Sequence, residues 1–199
     1  MRKVLTILAL SLAFVGSAQT TATTPFTAQT TTMCDVLKQM PDTLVPFLKE
    51  NARLDFIDFI ESNMKAEVSN SLEGKSELTK LTDNYAMLWL TQASQMEMRL
   101  LDTAEEVDSV RQLLCIVCTY GTDIRESTIE FYSLRWRKLA TDERVGLPTD
   151  MFIAALGVDE PTLSICPELR LDAPANEEQE DLSKPSIILK WNGRIFKEY

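Results

Sequence analysis

Two stretches of this sequence hold residues whose types and spacing could do chemistry. Cys115 and Cys118 form a C-x-x-C pair inside LLCIVCTYGTDIRESTIEFYSLRW, residues 113–136. At a helix N-terminus that spacing supports dithiol redox chemistry, and elsewhere it supplies half of a zinc site. Just downstream, Tyr120, Asp123, Arg125 and Glu126 bring an aromatic ring and both signs of charge into one short stretch. These four are the candidate binding residues, because ligand contacts concentrate on loops held by a rigid scaffold. The 199-residue chain has no histidine. Ser-His-Asp and Cys-His nucleophile systems and His-containing zinc sites are therefore excluded, which leaves Asp, Glu, Lys, Tyr and Cys as general acids or bases.

The element around the cysteines decides their chemistry. LLCIVC is apolar throughout and rich in β-branched residues, the composition of a buried strand. Along a strand the two side chains point to opposite faces with Cα atoms about 10 Å apart. A disulfide needs about 4.4–6.8 Å, so the two cannot bond to each other. Buried thiols, or disulfides to Cys34 or Cys166, fit better, and the four cysteines leave all pairings open. Neither a metal site nor a cofactor site is expected. Asp55, Asp58 and Glu61 recur along one side of a helix, too few oxygens for calcium and the pattern of a solvated face. GKS at 74–76 lacks the upstream glycine of a phosphate loop. No catalytic residue stands out. The enzyme class left open is a small carboxylate-dependent, glycosidase-like hydrolase, which needs two carboxyl groups facing each other across a cleft.

The elements that would position these residues fall into an α+β order. MCDVLKQM (33–40), PDTLVPFLKE (41–50, with Asp42 as cap) and ARLDFIDFIESNM (52–64) read as helices. Strands follow. EVSNSL and SELTKL are weak candidates, and YAMLWL (85–90) is apolar on both faces. QMEMRL alternates, with Met96, Met98 and Leu100 inward and Glu97 and Arg99 on the other face. STIEFYSLRW is a return strand in which a bulge near Tyr132-Ser133 would place Ile129, Phe131, Leu134 and Trp136 on one face. PTDMFIAAL (148–156) reads as one further short helix closed by Gly157, and ELRLD as a strand. In SIILKWNGRIFKEY, Asn192-Gly193 predicts a two-residue turn with Trp191 opposite Arg194 and Leu189 opposite Phe196. Together these predict N-terminal helices, then antiparallel hairpins in one sheet or a partly split sheet, then a C-terminal hairpin.

The ends bear on location. Arg2 and Lys3, the short apolar run from Val4 to Val15, and Gly16-Ser17-Ala18 have the form of a signal peptide over residues 1–18, cleaved before Gln19. Residues 19–32 are Thr-rich and uncharged and read as a flexible linker, which leaves 33–199 as one domain. No later apolar run reaches the ~20 residues of a membrane span. Loss of Arg2 and Lys3 moves the formal charge from −10 to −12. Such an acidic chain is repelled by phosphate backbones, so nucleic acid is not an expected partner.

MPDTLVPFL, NARLDFIDFIESNMKAEV and YGTDIRESTIEFYSLRW, in that order, resemble an exported family of Bacteroidales known only as a domain of unknown function. The likeness runs from about Cys34 to the C-terminus. It implies an α+β domain in a bacterial cell envelope and brings no catalytic residues with it. The expectation is an exported protein of the periplasm or the extracellular space, a non-enzymatic module for a protein or glycan partner.

Overall fold

A computed structural model describes residues 31–167 and 187–198. Two helices come first, α1 (Met33–Gln39) and α2 (Glu50–Glu61). Seven strands follow: β1 (Glu67–Ser69), β2 (Lys75–Leu81), β3 (Tyr85–Thr91), β4 (Ser94–Val107), β5 (Val110–Tyr120), β6 (Glu126–Ser133) and β7 (Lys138–Leu139). They form one antiparallel sheet in simple sequence order. A second sheet, ordered β11-β10-β9-β8, is built from β8 (Phe152–Leu156), β9 (Thr162–Pro167), β10 (Ile187–Trp191) and β11 (Phe196–Glu198). The α+β expectation fits broadly, and the strands form two sheets where one sheet or a partly split sheet was expected.

The large sheet is the middle layer. One of its faces, through Leu88, Met96, Met98, Leu114 and Ile116, packs on Met33, Leu37, Leu48 and Phe56 from the helical segment. The opposite face, through Tyr85, Leu101, Cys115, Val117 and Phe131, packs on Ala154, Leu163, Leu189 and Trp191 of the small sheet. Burial on both faces accounts for the unbroken apolar run of β5, where odd residues enter one core and even residues the other.

α1 starts where a capping box forms. The Thr32 hydroxyl accepts from Asp35 N at 3.3 Å, and the Asp35 carboxylate accepts from Thr32 N at 3.0 Å. Thr32, placed in the linker by its composition, is therefore the helix cap. α2 turns Arg53, Phe56 and Ile57 inward and leaves Asp55, Asp58 and Glu61 exposed. It stops at Glu61, and Asn63 takes a positive φ of 54°, so Met64 lies beyond the apolar stripe and is 59 % exposed.

PDTLVPFLKE is not a helix but a run of turns closed by Leu44 N to Pro41 O and Leu48 N to Val45 O. Pro46 can donate no hydrogen bond and clashes with the preceding turn of a helix. Carbonyls left free here and at the end of α1 converge on the Arg53 guanidinium, which is 2 % exposed. Arg53 donates to Leu37 O (3.1 Å), Leu48 O (2.8 Å), Met40 O and Asp42 Oδ1 (2.8 Å). Asp42, expected to cap a helix, is instead the counter-ion of a buried arginine. The Arg53 hydrogen bond holds its carboxyl below the usual carboxylate range.

PTDMFIAAL is also not a helix. Phe152, Ala154 and Leu156 face the core and alternate with Ile153 and Ala155, and the segment pairs with β9 as the edge of the small sheet. A five-residue apolar run has no period long enough to separate strand from helix, and pairing with LSIC decides for the strand. Gly157, expected as a helix stop, donates to Thr162 O at the β8–β9 turn. The bulge expected near Tyr132-Ser133 is absent. β6 ends there in a tight turn, Trp136 N to Ser133 O, with Trp136 at φ 62°. Leu134 and Trp136 then pack with the helical core, while Ile129 and Phe131 enter the other.

The terminal hairpin forms in a different register. Trp191 lies opposite Phe196 and Leu189 opposite Glu198, a slip of two residues from the expected pairing. Asn192 Oδ1 accepts from both Arg194 N and Ile195 N, so the loop runs over residues 192–195. A slip of two preserves side-chain parity, so Leu189, Trp191 and Phe196 still share the buried face. ELRLD lies outside the described residues.

Candidate functional site

The C-x-x-C pair is confirmed as strand residues on opposite faces. Cys115 is fully buried between the two sheets, and Cys118 borders the helical core. Burial pushes the Cys115 thiol far above its ordinary range and Cys118 up to about 11. Cys34, Cys115 and Cys118 are free thiols. Iodoacetamide at pH 8 should therefore leave Cys115 unmodified in the native protein and label it only after unfolding. Native labelling of Cys115, read by peptide mass spectrometry, would show that the sheets separate readily.

The second polar centre was hidden in QMEMRL. Glu97 and Arg99 were expected on the solvated face of a half-covered strand, yet each is only 4 % exposed because the small sheet covers that face. Glu97 accepts from Leu156 N (2.8 Å), Tyr85 OH (3.1 Å) and Gln95 Nε2 (3.1 Å). The Arg99 guanidinium donates to the carbonyls of Gly157, Val158 and Asp159. Ser127 Oγ accepts from Ala154 N at 2.9 Å. These bonds fix β8 and its turn across β6 and β4, satisfying polar groups that would otherwise be buried without partners. Their task is to join two sheets, and a walled-in carboxylate offers no oxygen to a substrate.

Burial raises the Glu97 pKa, opposed by its three donors and the Arg125 charge. A carboxyl raised in the fold adds stability that is complete below its unfolded pKa and lost as pH rises through the folded value. Glu97→Gln, which removes the charge, should thus change stability in a pH-dependent way. Relative to the parent, the variant should gain as pH rises from 4 to 8, as read from urea midpoints. A constant difference across that range would remove Glu97 from the linkage.

The four candidate binding residues are not brought to one place. Arg125 reaches the small-sheet side, where Nη2 donates to Gln95 Oε1 at 3.1 Å behind Glu97. Asp123 is exposed in the β5–β6 turn. Tyr120 and Glu126 pair across β5 and β6, and Tyr120 lines a groove on the helical side.

That groove, of about 360 Å³, is the candidate site. Its floor is Leu90, Met96 and Ile116, buried residues of the sheet face that packs on the helical segment. Its wall is Leu44, Val45 and Phe47 from the turns at 41–48. Tyr120, 50 % exposed, forms one rim and Thr128 and Glu130 the other. Burial, with Cys118 and Glu130 as neighbours, pushes the Tyr120 hydroxyl up to about 12, so it remains protonated at neutral pH. Burial of Glu130 is outweighed by Lys138 Nζ and by Tyr132 OH at 2.7 Å, and its carboxyl sits below the usual range. Hydroxyls of Thr91 and Ser94, next to Tyr120 across the β4–β5 ladder, bond to each other at 2.7 Å. The result is an apolar trough with an aromatic edge and one ionised carboxylate.

Sequence reasoning missed the groove's wall because 41–48 was read as a helix, and it missed Thr128 and Glu130 altogether. A signal for these two was present. In β6 the polar Thr128 and Glu130 alternate with the core residues Ile129 and Phe131, which marks a sheet face only partly covered.

A glycosidase needs two carboxylates facing each other across a cleft. Glu105 and Glu143 line one cleft, but each is paired with an arginine, Arg194 and Arg144 respectively. Among the described residues no group of three or more Cys, Asp or Glu is placed to hold a metal ion. No helix among them is long and apolar enough to cross a membrane.

The family described as "Protein of unknown function (DUF3256)" matches residues 25–161, a span that holds both helices, the large sheet and every residue of the groove. The chain belongs to this family. This agrees with the resemblance seen in the sequence. A solved domain of an uncharacterized protein from Porphyromonas gingivalis W83 shares the fold, with a TM-score of 0.64 over 84% of this chain and 98% of that one. The two are 18% identical, so the likeness speaks for the fold alone. A search of curated proteins finds no match.

Proposed function

We propose that this DUF3256 member is an exported, non-enzymatic module of the cell envelope that binds a partner molecule through the groove beside Tyr120. The supporting observation is the groove itself, with an apolar floor and wall and a half-exposed tyrosine at its edge. Sites of this kind are concave, mostly apolar and largely pre-formed. Its polar groups do not form a nucleophile–base pair, and the most deeply buried carboxylate, Glu97, is enclosed between the sheets. Export rests on the leader at residues 1–18.

Thr128→Trp tests the reading. Thr128 is exposed on β6 and faces the groove, so a large ring there fills the trough without entering either core. Partners captured from an envelope extract by the parent should be lost with the variant. Capture of the same partners in the same yield by both would end the groove reading. Export is tested separately by N-terminal sequencing of the protein from its native envelope fraction. The first residue should be Gln19, and a cytosolic chain that keeps Met1 would overturn it.

A further inference from the structure

Resting on the groove reading above, we infer that the occupant is an extended segment of a protein partner carrying a large apolar side chain beside a cationic residue. The shape of the site favours a side chain over a sugar. The floor and wall are Leu, Met, Ile, Val and Phe, and about 360 Å³ between them accommodates one or two large apolar groups. A sugar requires free donors and acceptors, and those at this site are mostly engaged. Thr91 Oγ bonds Ser94 Oγ at 2.7 Å and also accepts from Ala93 N at 3.2 Å. Both Glu130 oxygens are taken, by Tyr132 and Lys138.

Charge specifies the rest. Glu126 stands opposite Tyr120 on the groove face, Asp123 is exposed in the adjoining turn, and Glu130 lies along the trough. Lys138 balances Glu130 and Arg125 turns to Gln95 on the other side, so the charge left at this rim is that of Glu126 and Asp123. The rim is therefore negative, on a chain whose net charge is −10. Such a field draws in cationic segments and rejects acidic ones, with its main effect on association rate and specificity. The exposed Tyr120 ring adds a face on which a lysine or arginine can settle while its apolar neighbour fills the trough.

The test uses the protein as purified from the envelope and three probes followed by amide chemical shifts. These are a capped hexapeptide GKLFKG, its charge-reversed counterpart GELFEG, and a neutral oligosaccharide, cellohexaose. GKLFKG should shift Met96, Ile116, Tyr120 and Thr128, with at least tenfold tighter binding than GELFEG in low salt and a smaller ratio in 0.5 M NaCl. Asp123→Lys with Glu126→Lys, at exposed positions, should reverse the preference. Equal binding of both peptides at the groove would overturn the cationic component, and binding of cellohexaose in place of the peptides would overturn the peptide. Either result leaves the groove reading standing. Absence of groove shifts with all three probes overturns both.

Discussion

Arg53→Met is expected to lower the unfolding free energy by about 3–5 kcal/mol, the largest single loss from the helical layer. The Arg53 guanidinium is 2 % exposed and gathers the carbonyls of Leu37, Met40 and Leu48 with the Asp42 carboxylate. These acceptors lie at the end of α1 and in the turns at 41–48, segments whose own geometry leaves them unpaired. Methionine fills a similar volume but donates nothing, so buried carbonyls lose their partners. Arg53→Lys should recover only part of the loss, because an ammonium is a point charge and cannot reproduce the planar fork that meets four acceptors. Equilibrium urea unfolding of the parent and both variants measures this. A loss below about 1 kcal/mol for Arg53→Met would mean that the turns hold their shape by packing alone. The groove would feel the change too, since Leu44, Val45 and Phe47 sit on those turns.

Trp191→Ala should cost about 3–5 kcal/mol, from the other side of the large sheet. The indole is 8 % exposed, lies 6.3 Å from the Phe131 ring and 5.2 Å from Phe196, and donates Nε1–H to Asp102 O at 2.6 Å. Truncation removes the packing of three rings and the hydrogen bond to the Asp102 carbonyl. Trp191→Phe should cost less, because most of the ring contact survives and only the hydrogen bond is lost. Thermal melts followed by circular dichroism would read the alanine variant as a downward shift of about 10 °C. An unchanged melting temperature would make the small sheet an appendage and not a layer of the core.

How legible these features were depended on how local their causes are. α2 was legible because its apolar stripe repeats at helical spacing within twelve residues, and β5 because LLCIVC is apolar on both parities. The separation of Cys115 from Cys118 followed from strand geometry alone. The turns at 41–48 and the strand at 152–156 were misread because short apolar runs carry no decisive period. What settled them was distant, a buried arginine at position 53 in one case and pairing with β9 in the other. Of the candidate binding residues, Tyr120 lines the groove, whereas Arg125, five residues on, crosses to the far side and supports Gln95. A turn's sequence does not say which layer each of its side chains will join.

By itself the sequence determined the α+β class, the order of helices before antiparallel strands, the faces of β5, and the exclusion of histidine chemistry. All of these follow from residue type and from periodicity over one element, and the hydrophobic effect acts on both wherever the element ends up. Only the tertiary structure decided that a second sheet covers the first. That coverage turned Glu97 and Arg99 from surface charges into the polar joint between two sheets, because burial is a property of what packs above a residue. It likewise decided where coverage stops. Tyr120 at the end of β5 stays half exposed, and the groove lies beside it, between the turns at 41–48 and the sheet.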